Sequence, residues 1–241
     1  MGKVKMAKQT KQIIPSFKVN PPSVETIGVD GKVYNPSFKG PTNWHQLREA
    51  DYGRGFRQGT FGDNFRLAHS AYMNQRSKDR DTREYAKEIV GVSQNHFITG
   101  NTALYGGEEL IFAVDFPQVE DSRIAINQKD LEARLSKRQI GKVILSEDSL
   151  VRAMPRSDVR EGDYTSAQIR KSQYPLLLTG DKESSEKTAQ IMKKIKKPGY
   201  LFVPSVGAIR CPVLVEGGDG LGLGGYWYGF DDGRCSFGVR Q

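Results

Sequence analysis

The chain has 241 residues, of which 37% are hydrophobic and 27% charged, and its formal net charge is +8 at pH 7. This composition is typical of a soluble globular protein with one large or two small domains, and it lacks the roughly 18 consecutive apolar residues that a membrane helix needs. Aromatic residues, 26 glycines and 11 prolines indicate many short elements joined by turns, so we predict an α+β fold with helices packed on a short-stranded antiparallel sheet.

The first forty residues are predicted to form a basic arm that is rich in proline and glycine. The first twenty residues contain five lysines and no acid, so the arm carries much of the positive charge and the remaining chain is only mildly basic. A nucleic-acid partner acting through this arm is an alternative that the charge alone would suit. The later half of the arm could form a hairpin around Asp30-Gly31. We place the arm at residues 1–40 and a single domain at residues 41–241.

Periodicity predicts the elements that follow. The predicted helices are 62–75, a second that is capped by Asp81 or Thr82 and ends near Ser93, 127–139, and 184–197 with Ser184 or Ser185 as N-cap. The predicted strands are 97–98, 103–104, 110–116, 143–151, 174–178, 200–204 and 209–215. Nine glycines lie within residues 217–238, where a glycine-rich loop is expected to close onto a terminal strand.

The glycine-rich segment contains Gly220, Gly222 and Gly225 in the G-x-G-x-x-G spacing of dinucleotide-binding proteins. That chemistry needs a helix at the last glycine and an acid about 20 residues further on, whereas only 16 residues follow Gly225. We therefore predict no nucleotide cofactor.

Aromatic and charged residues within and after these glycines indicate a displayed ligand-binding surface at about residues 208–241, because Tyr, Trp and Arg dominate binding hot spots. Phe237 and Val239 are expected to anchor the last strand, and Trp227 could also belong to the core. The predicted ligand-binding residues are Glu216, Asp219, Leu221, Leu223, Tyr226, Trp227, Tyr228, Phe230, Asp231, Asp232, Arg234 and Ser236.

Catalytic and metal-binding patterns are absent from the sequence. The three histidines, His45, His69 and His96, lack ligand spacing, and no nucleophile elbow or zinc-protease motif occurs. Cys211 and Cys235 form either a disulfide with each other or two buried free thiols. We predict no metal, no cofactor and no enzymatic activity, with a cysteine-dependent enzyme as a further alternative.

Two short motifs resemble those of a known protein family. The run Phe56-Arg57-Gln58-Gly59-Thr60 precedes the first long helix, and Phe237-Gly238-Val239-Arg240 closes the chain. They are similar to the opening "(F/Y)R-x-P-T" and closing "GFR" of C-type lectin folds of the formylglycine-generating-enzyme type, with Gly59 in the place of the proline. The whole chain resembles the variable proteins of diversity-generating retroelements, including archaeal and viral ones.

The resemblance implies a C-type lectin fold with two helices and an antiparallel sheet, and a variable C-terminal surface diversified by reverse transcription. It implies binding to a protein or other macromolecular ligand, and a location on a virion or cell surface. The calcium-binding tripeptides of sugar-binding lectins, Glu-Pro-Asn and Trp-Asn-Asp, are missing. The reactive cysteine pair of the enzyme relatives is not matched to Cys211 and Cys235.

Overall fold

The computed structural model describes residues 17–20, 26–226 and 233–240. Within these ranges the chain forms helices packed on a large, mostly antiparallel sheet. The α+β class predicted from the sequence is therefore confirmed.

The strands at the two ends of the described chain lie side by side. They are β1 (Phe17–Asn20), β2 (Thr26–Val29), β3 (Lys32–Thr42) and, at the C-terminus, β17 (Arg234–Arg240). The predicted hairpin around Asp30-Gly31 joins β2 to β3, with positive φ at both turn residues. Strand β3 then pairs antiparallel with β17, so the predicted boundary at residue 40 falls inside a strand of the main sheet.

The first long helices confirm two sequence predictions. This region contains α1 (Trp44–Glu49), β4 (Arg57–Gln58), α2 (Phe61–Asn74) and α3 (Arg80–Asn95). A capping box starts α2, in which Asp63 N donates to Thr60 Oγ1 at 3.2 Å and Thr60 N donates to Asp63 Oδ2 at 3.0 Å, satisfying two amides of the first turn. The N-cap of α3 is Asp79, two residues before Asp81 and three before Thr82, the two caps that the sequence predicts.

The middle of the chain adds most of the antiparallel strands. The elements are β5 (Phe97–Ile98), β6 (Thr102–Gly106), β7 (Leu110–Asp115), β8 (Val119–Glu120), β9 (Arg123–Ile124), α4 (Gln128–Arg134), β10 (Leu135–Ile140), β11 (Val143–Ser146) and β12 (Val151–Pro155). The predicted helix 127–139 is too long, because residues from Leu135 onward pair with β11 across a turn in which Gly141 has φ 59°. The predicted strand 143–151 is two strands separated by a turn.

The last third holds three helices and three of the strands that carry the candidate site. A 3-10 turn (Arg156–Asp158) precedes β13 (Gly162–Tyr164), α5 (Ser166–Lys171), α6 (Tyr174–Thr179), α7 (Ser184–Ile195), β14 (Gly199–Phe202), β15 (Ile209–Glu216) and β16 (Leu221–Tyr226). The predicted strand 174–178 is wrong, since that run is α6, with Pro175 in its first turn and Gly180 as a left-handed C-cap. Helix α7 is confirmed, although its N-cap position is Glu183.

Strand order explains which residues are buried. Among the described residues, fifteen strands share one sheet with the main path β1-β2-β3-β17-β5-β15-β6-β7-β12-β11-β10, and β16, β14 and β13 branch from β15. The C-terminal strand therefore lies inside the sheet between β3 and β5. Side chains of α2, α3, α6 and α7 pack with those of β14 to β17 in the largest core cluster, so the scaffold beneath the C-terminal segment is continuous with the core.

Candidate ligand-binding face

Four half-buried aromatic side chains form a continuous row across β5, β16 and β14. Phe97 stacks on Tyr226 with ring centroids 4.8 Å apart. Tyr226 meets the edge of Phe202 at 5.8 Å, and Phe202 lies 4.8 Å from Tyr200. Offset and edge contacts of this kind hold each ring in place while part of its surface stays accessible. We call Phe97, Tyr226, Phe202 and Tyr200 the aromatic row.

The aromatic row lies at the base of the connection between β16 and β17. The ring of Phe97 stacks on Tyr226, the last residue of β16, and its backbone N donates to Gly233 O at 2.9 Å, just before β17. Both ends of the connection are thus fixed to the same residue of β5. The connecting residues 227–232 lie outside the described residues, and they include the predicted ligand contacts Trp227, Tyr228, Phe230, Asp231 and Asp232.

A cavity of about 290 Å³ adjoins one end of the aromatic row, and we call it the glycine cleft. Gly222 forms part of its floor, and a Cβ there would lie 2.8 Å from the ring of Phe202, so only glycine lets this ring rest on the strand. The cleft is lined by Asp163, Pro198, Gly199, Tyr200, Phe202, Val215, Gly217, Gly218, Asp219, Gly220 and Gly222.

Backbone contacts fix the glycine loop that borders the cleft. Gly217 N donates to Gly220 O at 2.9 Å, which closes a tight turn. Leu221 N donates to Pro198 O at 2.9 Å, and Lys197 Nζ donates to Gly217 O at 2.8 Å. The loop is therefore held to the end of α7 before any ligand arrives, which lowers the entropic cost of binding there.

Three of the predicted contact residues have clear positions beside this surface. Tyr226 belongs to the aromatic row, and Asp219 is exposed on the glycine cleft. Glu216 instead belongs to the scaffold, because its carboxylate accepts hydrogen bonds from Tyr72 Oη at 2.8 Å and from Gln94 Nε2 at 3.2 Å. These bonds tie the end of β15 to α2 and α3.

Four other predicted contact residues are buried, so the prediction that their side chains are exposed to a ligand is wrong. Leu221 and Leu223 are 1% and 0% exposed because they alternate with glycines and face the core. Arg234 and Ser236 are both 0% exposed because β17 is an interior strand. The predicted anchoring role of Phe237 and Val239 is confirmed by their burial in the main core.

Sequence reasoning missed Phe97, Tyr200, Phe202 and Asp163 as members of this surface. Tyr200 and Phe202 carry a signal in the sequence, since they alternate with Gly199 and Leu201 along one strand, so that both aromatic rings face the same side. Phe97 has no comparable signal, because its neighbours on β16 and β17 are more than a hundred residues away in sequence.

Cys211 and Cys235 are free and buried, which decides between the two alternatives that the sequence left open. Cys211 belongs to a small buried cluster with Trp44, Ala103 and Ile124, whereas Cys235 belongs to the main core. Burial raises the pKa of both thiols, that of Cys235 to about 12. A protonated, inaccessible thiol is a poor nucleophile, so neither residue has the environment of a catalytic cysteine.

We expect neither cysteine of the native protein to react with iodoacetamide at neutral pH under reducing conditions, and both to react once the chain is unfolded in guanidinium. Intact-mass spectrometry before and after denaturation measures this. A Ser205→Cys variant provides the control, because Ser205 is exposed and a thiol there should be labelled in the native state. Rapid native labelling of Cys211 or Cys235 would support the cysteine-dependent enzyme.

Metal sites and membrane spans were also sought within the described ranges. There, no three His, Cys, Asp or Glu side chains come close enough together to hold a metal ion. In the same ranges, no helix combines the length and apolarity required to cross a bilayer.

Comparisons with known proteins give one distant likeness. Neither a scan against protein-family models nor a search of curated proteins finds a match. The chain is similar to a solved structure described as "Accommodation of massive sequence variation in Nanoarchaeota by the C-type lectin fold", with a TM-score of 0.47 and 10% sequence identity over 84% of this chain and 95% of that one. Similarity at this level establishes neither a family nor a function for the chain.

Proposed function

We propose that this chain is a non-enzymatic binding protein whose ligand surface consists of the aromatic row and residues 227–232. The observation that carries the proposal is the placement of Tyr226 at the base of the 227–232 connection, where it stacks on Phe97 and meets Phe202 in an edge contact. Half-buried aromatic rings in fixed orientations supply large contact area at low entropic cost. The partner we propose is a protein or another macromolecule, and not a nucleic acid.

Support for a display role comes from the contacts that hold the strands on either side of residues 227–232. Asn64 of α2 forms two hydrogen bonds with β17. Its Nδ2 donates to Ser236 Oγ at 3.1 Å, and its Oδ1 accepts from Phe237 N at 2.9 Å. Glu216, at the end of β15, likewise accepts hydrogen bonds from Tyr72 of α2 and Gln94 of α3. The atoms that make these bonds belong to residues outside 227–232, so we expect substitutions at residues 227–232 to leave the bonds in place.

The proposal extends to a C-type lectin scaffold with a surface diversified by a retroelement, displayed on a virion or cell. It is supported by the two motifs that carry the resemblance, which meet in space. Gln58 and Arg57 of β4 pair with Gly238 and Val239 of β17, and Gly59 N donates to Phe237 O at 3.2 Å. A neighbouring reverse transcriptase gene, with a near-copy of the 3′ coding sequence that differs mainly at adenines, is the genomic observation expected from this proposal.

A pair of libraries tests the display function. If the connection is the ligand surface that we propose, randomising five of its positions should leave most variants folded, because surface substitutions usually shift stability by about 0.5 kcal/mol or less. Randomising five buried positions of β16 and β17 should unfold most variants. Yeast display with thermal challenge and protease treatment measures the surviving fraction of each library. The first library covers Trp227, Tyr228, Phe230, Asp231 and Asp232, and the matched control covers Leu221, Leu223, Ser236, Phe237 and Val239.

The surviving members of the first library should also yield binders when they are sorted against a purified test protein such as lysozyme. Replacing Tyr226 with Ser in an enriched clone should weaken binding without lowering the melting temperature by more than a few degrees. The proposed surface would be contradicted if the folded fraction fell equally in the two libraries, or if Tyr226→Ser left the affinity of the enriched clones unchanged.

A further inference from the structure

The glycine cleft combines aromatic walls with carboxylates that lack a cationic partner. Asp163 of β13 and Asp219 of the glycine loop both line the cleft and both are exposed. Neither side chain forms a salt bridge or a side-chain hydrogen bond with any residue in the described ranges. Two such carboxylates at one cleft give it a negative potential in a chain whose formal net charge is +8.

The aromatic wall of the cleft is held by a third carboxylate. Tyr200 Oη donates to Glu161 Oε1 at 3.2 Å, and Glu161 Oε2 accepts from Val203 N at 3.3 Å. The pKa of Tyr200 is raised, first by partial burial and then by the negative charges of Glu161 and Asp163. The Tyr200 ring is therefore fixed in orientation within a field that favours a cation, and the ring face adds a cation–π attraction of its own.

The lysine nearest to the cleft in sequence is already engaged elsewhere. Lys197 Nζ donates to Gly217 O at 2.8 Å and lies 3.5 Å from Glu216 Oε1, so it supports the loop and does not neutralise Asp219. The cavity, about 290 Å³, is at the lower end of the volumes of small-molecule pockets. It is of the size for one long side chain and too small for a nucleotide cofactor.

We propose that the glycine cleft binds a lysine or arginine side chain of the protein ligand. The apolar stem of such a side chain would lie along Pro198 and Val215, while its charged end would meet the rings of Tyr200 and Phe202 and the carboxylates of Asp163 and Asp219. The inference rests on the proposed function in naming a protein as the ligand and in sharing Tyr200 and Phe202 with the aromatic row, but the cleft uses none of the residues 227–232.

Titration with capped amino acids tests this pocket directly. The probes are N-acetyl-lysine amide and N-acetyl-arginine amide, with N-acetyl-norleucine amide as the neutral analogue of the same stem length, and amide shifts of the 15N-labelled full chain are followed by NMR. Saturable shifts at the glycine loop and β14 are expected with the two cations, weakening as salt is raised. No saturable shift, or equal shifts with the norleucine probe, would overturn the proposal.

Two sets of variants measure separately what the carboxylates and the Tyr200 ring contribute to binding of the cationic probes. Asp163→Asn with Asp219→Asn should weaken binding of the cationic probes by roughly 3- to 10-fold, and Tyr200→Leu should weaken it by roughly 2- to 5-fold. The matched control is Glu108→Gln with Asp121→Asn, which removes the same charge from two exposed residues outside the cleft and should leave the affinity unchanged. An equal loss of affinity in the control variant would mean that net charge, and not the cleft, determines binding, and it would overturn the proposal. All these variants leave residues 226–232 intact, so the outcome is independent of the library experiment.

Discussion

Replacing Asp115 with Asn is expected to lower the free energy of unfolding by about 3–5 kcal/mol, because it leaves a buried guanidinium without its counter-charge. Arg152 Nη1 lies 2.6 Å from Asp115 Oδ2, and Arg152 Nη2 lies 3.0 Å from Oδ1. The two side chains are only 3% and 10% exposed. Urea denaturation followed by circular dichroism measures the change.

Asp115 has this large expected effect because its pair with Arg152 joins several elements. Thr102 Oγ1 donates to Asp115 Oδ1 at 2.7 Å and accepts from Phe61 N at 2.9 Å, which connects β6 and β7 to the start of α2. Arg152 Nε donates to Leu177 O at 2.8 Å, which connects β12 to α6. Loss of the aspartate charge therefore weakens contacts between the sheet and two helices.

An exposed ion pair provides the control for Asp115→Asn. Arg80 and Glu84 of α3 have side chains that are 78% and 56% exposed, so Arg80→Gln should lower the free energy of unfolding far less than Asp115→Asn does. Adding Arg152→Met to Asp115→Asn should recover part of the lost stability, because it removes the unpaired charge. Equal small losses for Asp115→Asn and Arg80→Gln would show that the buried pair does not hold these elements together.

Sequence patterns predicted the helices well where an apolar stripe alternates with charge. The buried residues of α3 lie on one face, and although most of α2 and α7 is buried, their large apolar residues still recur three or four positions apart, which is the pattern that a period of 3.6 residues detects. Helix α6 was missed because all six of its residues, Tyr174–Thr179, are buried, and a short apolar run shows no period. Pro175 and Gly180 were the available signals for a helix, through the first-turn and C-cap preferences of these residues.

The candidate site was predicted only in part, because the positions of several of its residues depend on the order of the strands in the sheet. Arg234 and Ser236 are predicted at the surface because they belong to the aromatic and charged C-terminal segment, whose composition is typical of binding hot spots. Strand β17 is instead flanked by β3 and β5, and that position depends on the pairing of the two ends of the chain. Local sequence carries no information on such pairing. The same pairing brings Phe97 to Tyr226, so the aromatic row could be described only from the structure.

Acid is expected to destabilise the protein partly through His69, a buried residue of α2. Its Nε2 lies 2.9 Å from Gln190 Oε1 of α7, and within the described residues its Nδ1 has no hydrogen-bond partner. Burial, together with the positive charge of Lys187, lowers the pKa of His69 to about 4, against an offsetting hydrogen bond to Gln190 Oε1 and weaker effects of Asp30 and Asp181. The folded protein therefore holds this imidazole neutral.

The sign of the effect follows from proton linkage. The pKa of His69 is 6.5 in the unfolded chain and about 4 in the folded one, so the unfolded chain binds the proton first as pH falls. The contribution of His69 to stability is fully present above pH 6.5 and is lost between pH 6.5 and pH 4, with a loss of about 2.5 kcal/mol by about pH 4.5.

Comparing wild type with His69→Gln isolates this contribution from that of the carboxylates. The free energy of unfolding should fall by about 2.5 kcal/mol less in His69→Gln than in wild type between pH 7 and about pH 4.5, as measured by urea denaturation at the two pH values. His96→Gln, at the end of α3, is the matched control and should keep the wild-type difference. An unchanged pH dependence in His69→Gln would mean that this histidine is protonated in the folded state, and that α2 and α7 accommodate the charge between them.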